Sequence, residues 1–148
     1  LAEAAAKGWS AGDAEEHYYM GIAASLSVWG LGSQAPAYIA QPEVAYDGTI
    51  EQIITQKWIA SWSMAAEAWF DWRRTGYPEL HGVVNRTKAP ELPLRFYYPI
   101  EERNLNGDNV EAANQNLEST GYSNFGGDGA KNSLWSKPWI AQVPGKPW

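Results

Sequence analysis

The sequence predicts a mainly α protein with two parts, a helical part over residues 1–80 and a loop-rich part with one short helix over residues 81–148. Capping signals at Asp13 and Thr49 mark helix starts, because each side chain can accept a hydrogen bond from the N–H three residues later. After each signal, apolar residues recur at steps of three or four, which is the spacing of one helix face. Beyond residue 80 this spacing ends and prolines become frequent, which predicts loops.

The first 30 residues are predicted to form two helices joined by a short turn. The stretch LAEAAAK, residues 1–7, has the composition of a helix end, and Gly8 suits the cap that closes it. The second helix begins after Asp13 and ends at Gly30. Its apolar stripe consists of Tyr19, Ile22, Ala23, Leu26 and Trp29.

Residues 31–48 are predicted to be a loop, because they contain two prolines and two glycines. Short extended segments are expected around Tyr38 and Val44.

A single long helix is predicted from Thr49 to Thr75. Thr49 and Gln52 have the spacing of a capping box. At the other end Gly76 suits a left-handed cap, and Pro78 prevents continuation of the helix. Its apolar face, which we predict to pack in a core, carries Trp58, Trp62, Trp69 and Trp72.

The polar side of this long helix carries Glu67, Asp71 and Arg74. Two carboxylates one turn apart would suit acid and base catalysis. Arg74 follows Asp71 by three residues, however, so an ion-pair network that links neighbouring helices is the favoured interpretation. Arg73 lies at the edge of the apolar face, where it can stack on a ring or reach a buried carboxylate. We therefore predict structural roles for all four residues.

The second part is predicted to hold little regular structure. Residues 92–98 alternate enough for a short strand, and Asp108 can cap a short helix that ends near Leu117. The last 30 residues are rich in Gly, Asn, Ser, Trp and Pro, so we expect an ordered coil that lies over the helices.

Composition excludes several functional classes. The net charge of −6 argues against binding of a nucleic-acid backbone, which requires clustered Lys and Arg. The chain has no cysteine, which excludes disulfides and thiolate zinc sites. His17 and His81 are isolated, and the oxygen-rich loops at 106–109 and 126–129 lack the bidentate Glu of a calcium loop. No metal, cofactor or catalytic residue is predicted.

The segments QKWIASW, EAWFDWRRTGYPEL and LPLRFYYPIEERNLN resemble the C-terminal part of SusD/RagB-like proteins, the surface nutrient-binding lipoproteins of Bacteroidetes. The resemblance is strong in the middle of the chain and weak at its flanks. It adds Arg95, Tyr98 and Glu102 to the structural positions. The segment NSLWSKPWI resembles the ending of the same proteins, so Trp135 and Trp139 are expected to hold down the tail.

This resemblance implies that residues 1–148 are the C-terminal part of one SusD-like domain whose N-terminal part is absent from this sequence. Residues 1–80 would then be the end of a tetratricopeptide-like helical repeat, and residues 81–148 a loop-rich cap. The implied function is non-catalytic binding of a glycan, a peptide or another nutrient. The implied location is the extracellular face of the outer membrane, with a lipid anchor on the absent part and a SusC-like TonB-dependent transporter as partner.

Four aromatic residues in or at the edge of predicted loops are the candidates for ligand contact, because the C–H face of a sugar stacks on an apolar ring. They are Trp29, Tyr38, Tyr122 and Phe125. Packing is the alternative role for each of them. Two other functional classes stay open, an all-helical glycoside hydrolase or lyase and a structural helical-repeat scaffold.

Overall fold

The computed structural model describes residues 1–80, 92–124 and 131–142. The chain divides into two compact units, Leu1–Trp72 and Arg73–Trp148. The prediction of a mainly α protein is confirmed. Within the described ranges no strand forms, and the one isolated β-bridge joins Glu118 to Lys137.

Among the described residues, five helices begin in the first unit and two lie in the second unit, with only Asn106 between those two. The first five are α1 (Ala2–Ala6), α2 (Ala14–Val28), α3 (Ala35–Ile39), α4 (Ile50–Ala60) and α5 (Ala65–Thr75), with a 3-10 turn at Gly32–Gln34. The second unit contains α6 (Ile100–Leu105), α7 (Gly107–Gln115) and a 3-10 turn at Trp139–Ala141.

The predicted boundaries of the first two helices are confirmed. The Asp13 side chain accepts a hydrogen bond from the Glu16 N–H at 2.7 Å and caps α2. Gly8 and Gly30 follow the two helix ends with φ of +76° and +73°. Glycine adopts this left-handed conformation without the steric cost that a Cβ would bring.

The prediction of an extended chain around Tyr38 and Val44 is wrong. Tyr38 lies on α3, and Val44 lies in a turn that its N–H closes on the carbonyl of Gln41 at 2.9 Å. Pro36 does not prevent α3, because it occupies the first turn, where a backbone N–H has no partner within the helix.

The prediction of one long helix from Thr49 to Thr75 is also wrong. The capped start is confirmed, since Thr49 Oγ1 accepts from the Gln52 N–H at 3.1 Å. The helix ends at Ala60, however, and α5 begins only at Ala65. Ser61 Oγ donates to the carbonyl of Lys57 at 2.8 Å, a side-chain bond that competes with helix continuation. The predicted end is confirmed, because Gly76 follows α5 with φ of +85°.

The core of the first unit is built from aliphatic and tyrosine side chains rather than from tryptophan. Its buried members are Ala2, Tyr18, Ile22, Val44 and Ile53. The Tyr18 hydroxyl donates to the Val44 carbonyl at 2.6 Å, which ties the loop before α4 to α2. Burial raises the pKa of Tyr18 to about 12, with nearby Tyr19 as the next cause.

The predicted burial of four tryptophans holds only in part. Trp72 is 4% exposed and Trp69 is half-buried, whereas Trp58 is exposed and Trp62 is 70% exposed. Within this chain Trp58 and Trp62 are therefore left exposed, and the prediction that they pack in a core of the whole domain stays a prediction. The reason for their exposure is the break at Ser61, because the apolar face of α4 does not continue into α5 and Trp62 lies in the turn between them.

In the second unit the predicted strand over residues 92–98 does not form. The N–H groups of Leu94 and Arg95 instead donate to one carbonyl, that of Leu134, at 2.8 and 3.1 Å. Asp108 does not cap a helix, since α7 already begins at Gly107 and Asp108 lies in its first turn. A carboxylate there still complements the helix dipole.

Part of the tail packs as predicted. The Gln142 side chain donates to the carbonyl of Asn116 at 2.9 Å, just after α7. Trp135 is buried, and Thr120 Oγ1 donates to its carbonyl at 2.8 Å. Trp139 is 80% exposed, so the expectation that it holds down the tail is wrong.

Candidate functional site

A groove of about 190 Å³ lies in the first unit, beside the C-terminal half of α2, α3 and the end of α4. Two indole rings, a phenol ring, an amide and a hydroxyl contribute to its lining, and aliphatic side chains complete it. The aromatic and polar members are Ser25, Trp29, Tyr38, Gln56 and Trp62. Among the described residues that line the groove, none carries a charge.

Trp29 and Trp62 form the most exposed wall of the groove. Their ring centroids are 5.3 Å apart, with 44° between the ring planes. Trp29 is 50% exposed, and both rings follow the ends of helices, α2 and α4. Carbon atoms in contact are about 3.5 to 4.0 Å apart, so a ring held between two planes would need roughly 7 to 8 Å. A ligand would therefore lie over the exposed indole faces, not between them.

Tyr38 and Gln56 form the polar part of the groove. The Tyr38 hydroxyl donates to Gln56 Oε1 at 2.9 Å, which joins α3 to α4. This bond occupies the carbonyl end of the amide and leaves its Nε2 as a donor. Gln56 is half-buried, so this donor has a fixed position at the side of the groove.

Gln56 also lines a second cavity of about 270 Å³, which shares Ile22 and Ala60 with the groove. Charged and titratable side chains reach this cavity from Glu3, His17 and Lys57. All three already have partners in the first unit, and those partners are the Lys7 ammonium, the Ala11 carbonyl and the Asp71 carboxylate. These three side chains of the second cavity are therefore already engaged within the first unit.

The ion pair between Lys57 Nζ and Asp71 Oδ2 measures 2.5 Å and links α4 to α5. The Asp71 side chain is largely buried, whereas Glu67 is exposed. Arg73 and Arg74 are half-buried, and burial lowers the pKa of Arg73. The burial and the ion pair of Asp71 support its structural role. Glu67 is not buried in this way.

Of the four candidate aromatic residues, the structure brings Trp29 and Tyr38 together in the groove. Tyr122 lies in the second unit, where it is half-buried and its N–H donates to Thr120 Oγ1 at 3.2 Å. Phe125 lies outside the described residues. Sequence reasoning missed Trp62 and Gln56 as site residues. The two serines that flank Trp62 were the available signal, since serine favours helix ends over helix interiors.

Arg95 and Tyr98 form a separate cluster in the second unit. The Arg95 guanidinium lies 5.0 Å from the centre of the Tyr98 ring and donates to Asn132 Oδ1 at 3.2 Å. The same oxygen accepts from the Tyr98 N–H at 3.0 Å. Burial lowers the pKa of Arg95. Glu102 is exposed and accepts from Asn106 Nδ2 at 2.7 Å. The contacts of Arg95 and Tyr98 support the structural roles that the resemblance implies, whereas the bond of the exposed Glu102 is local to the end of α6.

The described residues meet neither the requirements of a metal site nor those of a membrane-spanning helix. Within residues 1–80, 92–124 and 131–142, no cluster of three His, Asp or Glu side chains has the geometry to hold a metal ion. Over the same residues, no helix combines the length and the apolar character that crossing a membrane requires.

The chain is similar to several known proteins. A SusD-like family model described as "Starch-binding associating with outer membrane" matches residues 1–99. A solved structure described as "Bacteroidetes AC2a SusD-like" is 30% identical with a TM-score of 0.69, and the match covers 90% of this chain and 27% of that one. A chitin-binding protein is 34% identical with a TM-score of 0.71, over 97% and 31% of the two chains.

A SusD homologue from Parabacteroides distasonis is 29% identical with a TM-score of 0.65, over 92% of this chain and 31% of the homologue. No curated protein sequence matches the chain. The chain thus spans less than a third of the length of these solved relatives. Because the family model matches more than half of the chain, the chain belongs to the SusD-like family.

Proposed function

We propose that this chain is part of a cell-surface protein that binds a glycan without cleaving it, and that the groove between α2, α3 and α4 is one of its contact sites. The observation that carries the proposal is the exposed pair of indoles, Trp29 and Trp62, beside the polar groups of Tyr38 and Gln56. Large apolar rings rarely stay exposed together on a soluble surface unless they meet a partner.

The chemistry of the groove suits a sugar ring. One face of a sugar presents C–H groups, which pack on an indole and remove apolar surface from water. The hydroxyl groups at its rim require hydrogen-bond partners once they are covered. The Gln56 amide and the Ser25 hydroxyl lie in the same groove as the rings and can supply such partners.

We further propose that residues 1–148 are the C-terminal part of one longer SusD-like domain. The relatives are more than three times as long as the segments that match this chain. The whole protein would be held at the extracellular face of the outer membrane by a lipid anchor on its N-terminal part. It would deliver its ligand to a SusC-like TonB-dependent transporter. The description of the family model, which joins starch binding to the outer membrane, supports this location and ligand class.

A binding role is preferred over catalysis because the groove offers no acid and base pair. Hydrolysis of a glycosidic bond uses two carboxyl groups that flank the bond. None of the described residues lining the groove is Asp or Glu, and of the two carboxylates that the sequence offers as a pair, Asp71 is bound to Lys57. A scaffold with no glycan affinity is the remaining alternative.

The test is affinity electrophoresis of the intact protein that contains this chain, through gels that hold soluble polysaccharides. The double variant Trp29→Ala, Trp62→Ala should lose retention, with binding about tenfold weaker or more. Trp139→Ala is the control for loss of an exposed indole, because Trp139 is 80% exposed and lies in the second unit. Retention that survives in the double variant would exclude the groove as the site.

Assays on the same protein samples distinguish the alternative functional classes. Release of new reducing ends from a polysaccharide would assign the protein to the hydrolases or lyases. Absence of retention for every polysaccharide, together with capture of a peptide or a protein partner, would favour a peptide-binding protein or a scaffold.

A further inference from the structure

We infer that the groove selects an N-acetylated amino sugar, and that Gln56 recognises the acetamido group. This inference rests on the proposed glycan-binding function and names the ligand class of the same site. Three properties of the groove support it, namely the absence of charge, the aliphatic walls and the orientation of one amide.

The first property is the neutral lining of the groove. The described residues that line it are aliphatic, aromatic, hydroxyl or amide side chains. A charged sugar, such as a uronic acid or a free amino sugar, would lose hydration there without gaining an ion pair, which is costly. The ligand should therefore be uncharged at neutral pH.

The second property is the apolar wall beside the indoles. Ile22, Leu26 and Ile59 present aliphatic side chains to the groove. A plain hexose carries a hydroxyl group at carbon 2, and that hydroxyl would lose a water partner against such a wall. An acetamido group at the same carbon ends in a methyl group, which gains from the same contact. The wall thus favours the acetamido sugar over the hexose.

The third property is the orientation of Gln56. Its Oε1 accepts from the Tyr38 hydroxyl at 2.9 Å, so Nε2 remains as a donor, and no hydrogen bond occupies Nε2 within residues 1–80. The carbonyl of an acetamido group is a strong acceptor that matches an amide N–H. Gln56 is then the specificity-determining residue, and Tyr38 is a positioning residue that fixes the direction of its amide.

The size of the groove limits what it holds. Pockets that enclose a drug-sized ligand measure about 300 to 1,000 Å³, whereas this groove measures about 190 Å³. One sugar unit would occupy the groove, and the neighbouring units of an oligosaccharide would lie outside it. Short oligosaccharides are therefore adequate probes.

The decisive measurement compares two ligands that differ only at carbon 2. Cellotriose and the β-1,4-linked trimer of N-acetylglucosamine have the same ring and the same linkage. Calorimetric titration of the intact protein should give about tenfold tighter binding of the N-acetylated trimer, the value of one hydrogen bond and one buried methyl group. The trimer of glucosamine, which is cationic, should bind more weakly than the N-acetylated trimer.

Variants then assign the selectivity to residues. Gln56→Glu has the same shape and still accepts from Tyr38, but it cannot donate, so it should abolish most of the preference for the N-acetylated trimer and improve binding of the cationic trimer. Gln34→Glu is the control for added charge, because Gln34 is exposed and outside the groove lining. Tyr38→Phe should reduce the preference in part, because it releases the Gln56 amide. Thermal melting of each variant checks that the fold is intact.

Each failure has a distinct meaning. Equal binding of the two trimers, with the Trp62→Ala variant weakened for both, would overturn the selectivity and leave glycan binding in place. A preference that persists in Gln56→Glu would overturn the role of Gln56. Absence of binding to every trimer and every polysaccharide would overturn both this inference and the proposed function.

Discussion

Replacement of Trp62 by alanine should cost little stability, although its position in the sequence predicts a core residue. Trp62 is 70% exposed, so about three-tenths of its surface is covered. A fully buried aromatic side chain covers about 150 to 250 Å². Three-tenths of that area at about 25 cal/mol per Å² gives a loss of about 1 to 2 kcal/mol. Trp72→Ala should cost about 3 to 5 kcal/mol, because Trp72 is 4% exposed.

The two variants are compared by urea denaturation of the intact protein. Far-ultraviolet circular dichroism is the suitable signal, because each substitution removes an indole that contributes to fluorescence. The difference between the two losses should be about 1 to 4 kcal/mol. If Trp62→Ala destabilises the protein as much as Trp72→Ala does, another segment of the intact protein covers Trp62. The groove would then be part of a core, and the proposed ligand site would be refuted.

Three other perturbations test the structure independently. Asp71→Asn should cost about 1 to 2 kcal/mol in urea denaturation, because Asp71 is largely buried against Lys57. Glu67→Gln should cost less than about 0.5 kcal/mol, because Glu67 is exposed. Equal losses of stability in the two variants would contradict this assignment. Stability should fall above pH 10, since the folded-state pKa of Tyr18, about 12, exceeds its usual 10.0. The pH-dependent part of the stability that comes from Tyr18 amounts to about 2 to 3 kcal/mol. It is fully present below pH 10 and is lost as the pH passes 12. It should be absent in Tyr18→Phe. Ser61→Ala with Ser63→Ala should raise helix content and weaken glycan retention, and unchanged circular dichroism would show that these serines do not end α4.

Helix starts were predictable from the sequence because their signals are local. A capping side chain and the N–H that it binds are three residues apart, so Asp13 and Thr49 needed no knowledge of tertiary packing. Glycines after the helix ends were predictable for the same reason, as Gly30 and Gly76 show. Boundaries of this kind depend on a few neighbouring residues, all of which the sequence displays.

The interruption of the Trp-rich helix was not predictable from periodicity. The apolar spacing continues through Trp58, Trp62 and Trp69, and neither proline nor glycine marks a break. In α4 the buried residues are Ile53 and Ile54, whereas Trp58 is exposed. Apart from the two serines that flank Trp62, nothing local distinguishes a tryptophan that packs in a core from one that lies on a turn. The resemblance to SusD-like proteins identified the family but not this local geometry.

The failure of the helix prediction and the location of the groove have the same physical origin. Continuation of α4 through residues 61–64 would move Trp62 out of the turn in which it approaches Trp29. Ending the helix at Ala60 leaves apolar surface that the described residues of this chain do not cover, and exposed apolar surface of this kind marks contact with a partner. We propose that the partner of the exposed indole pair is a ligand, and the stability of Trp62→Ala in the intact protein distinguishes a ligand from another segment of the same protein. Places where a sequence departs from its local pattern and exposes a large ring are the places where a binding site is expected.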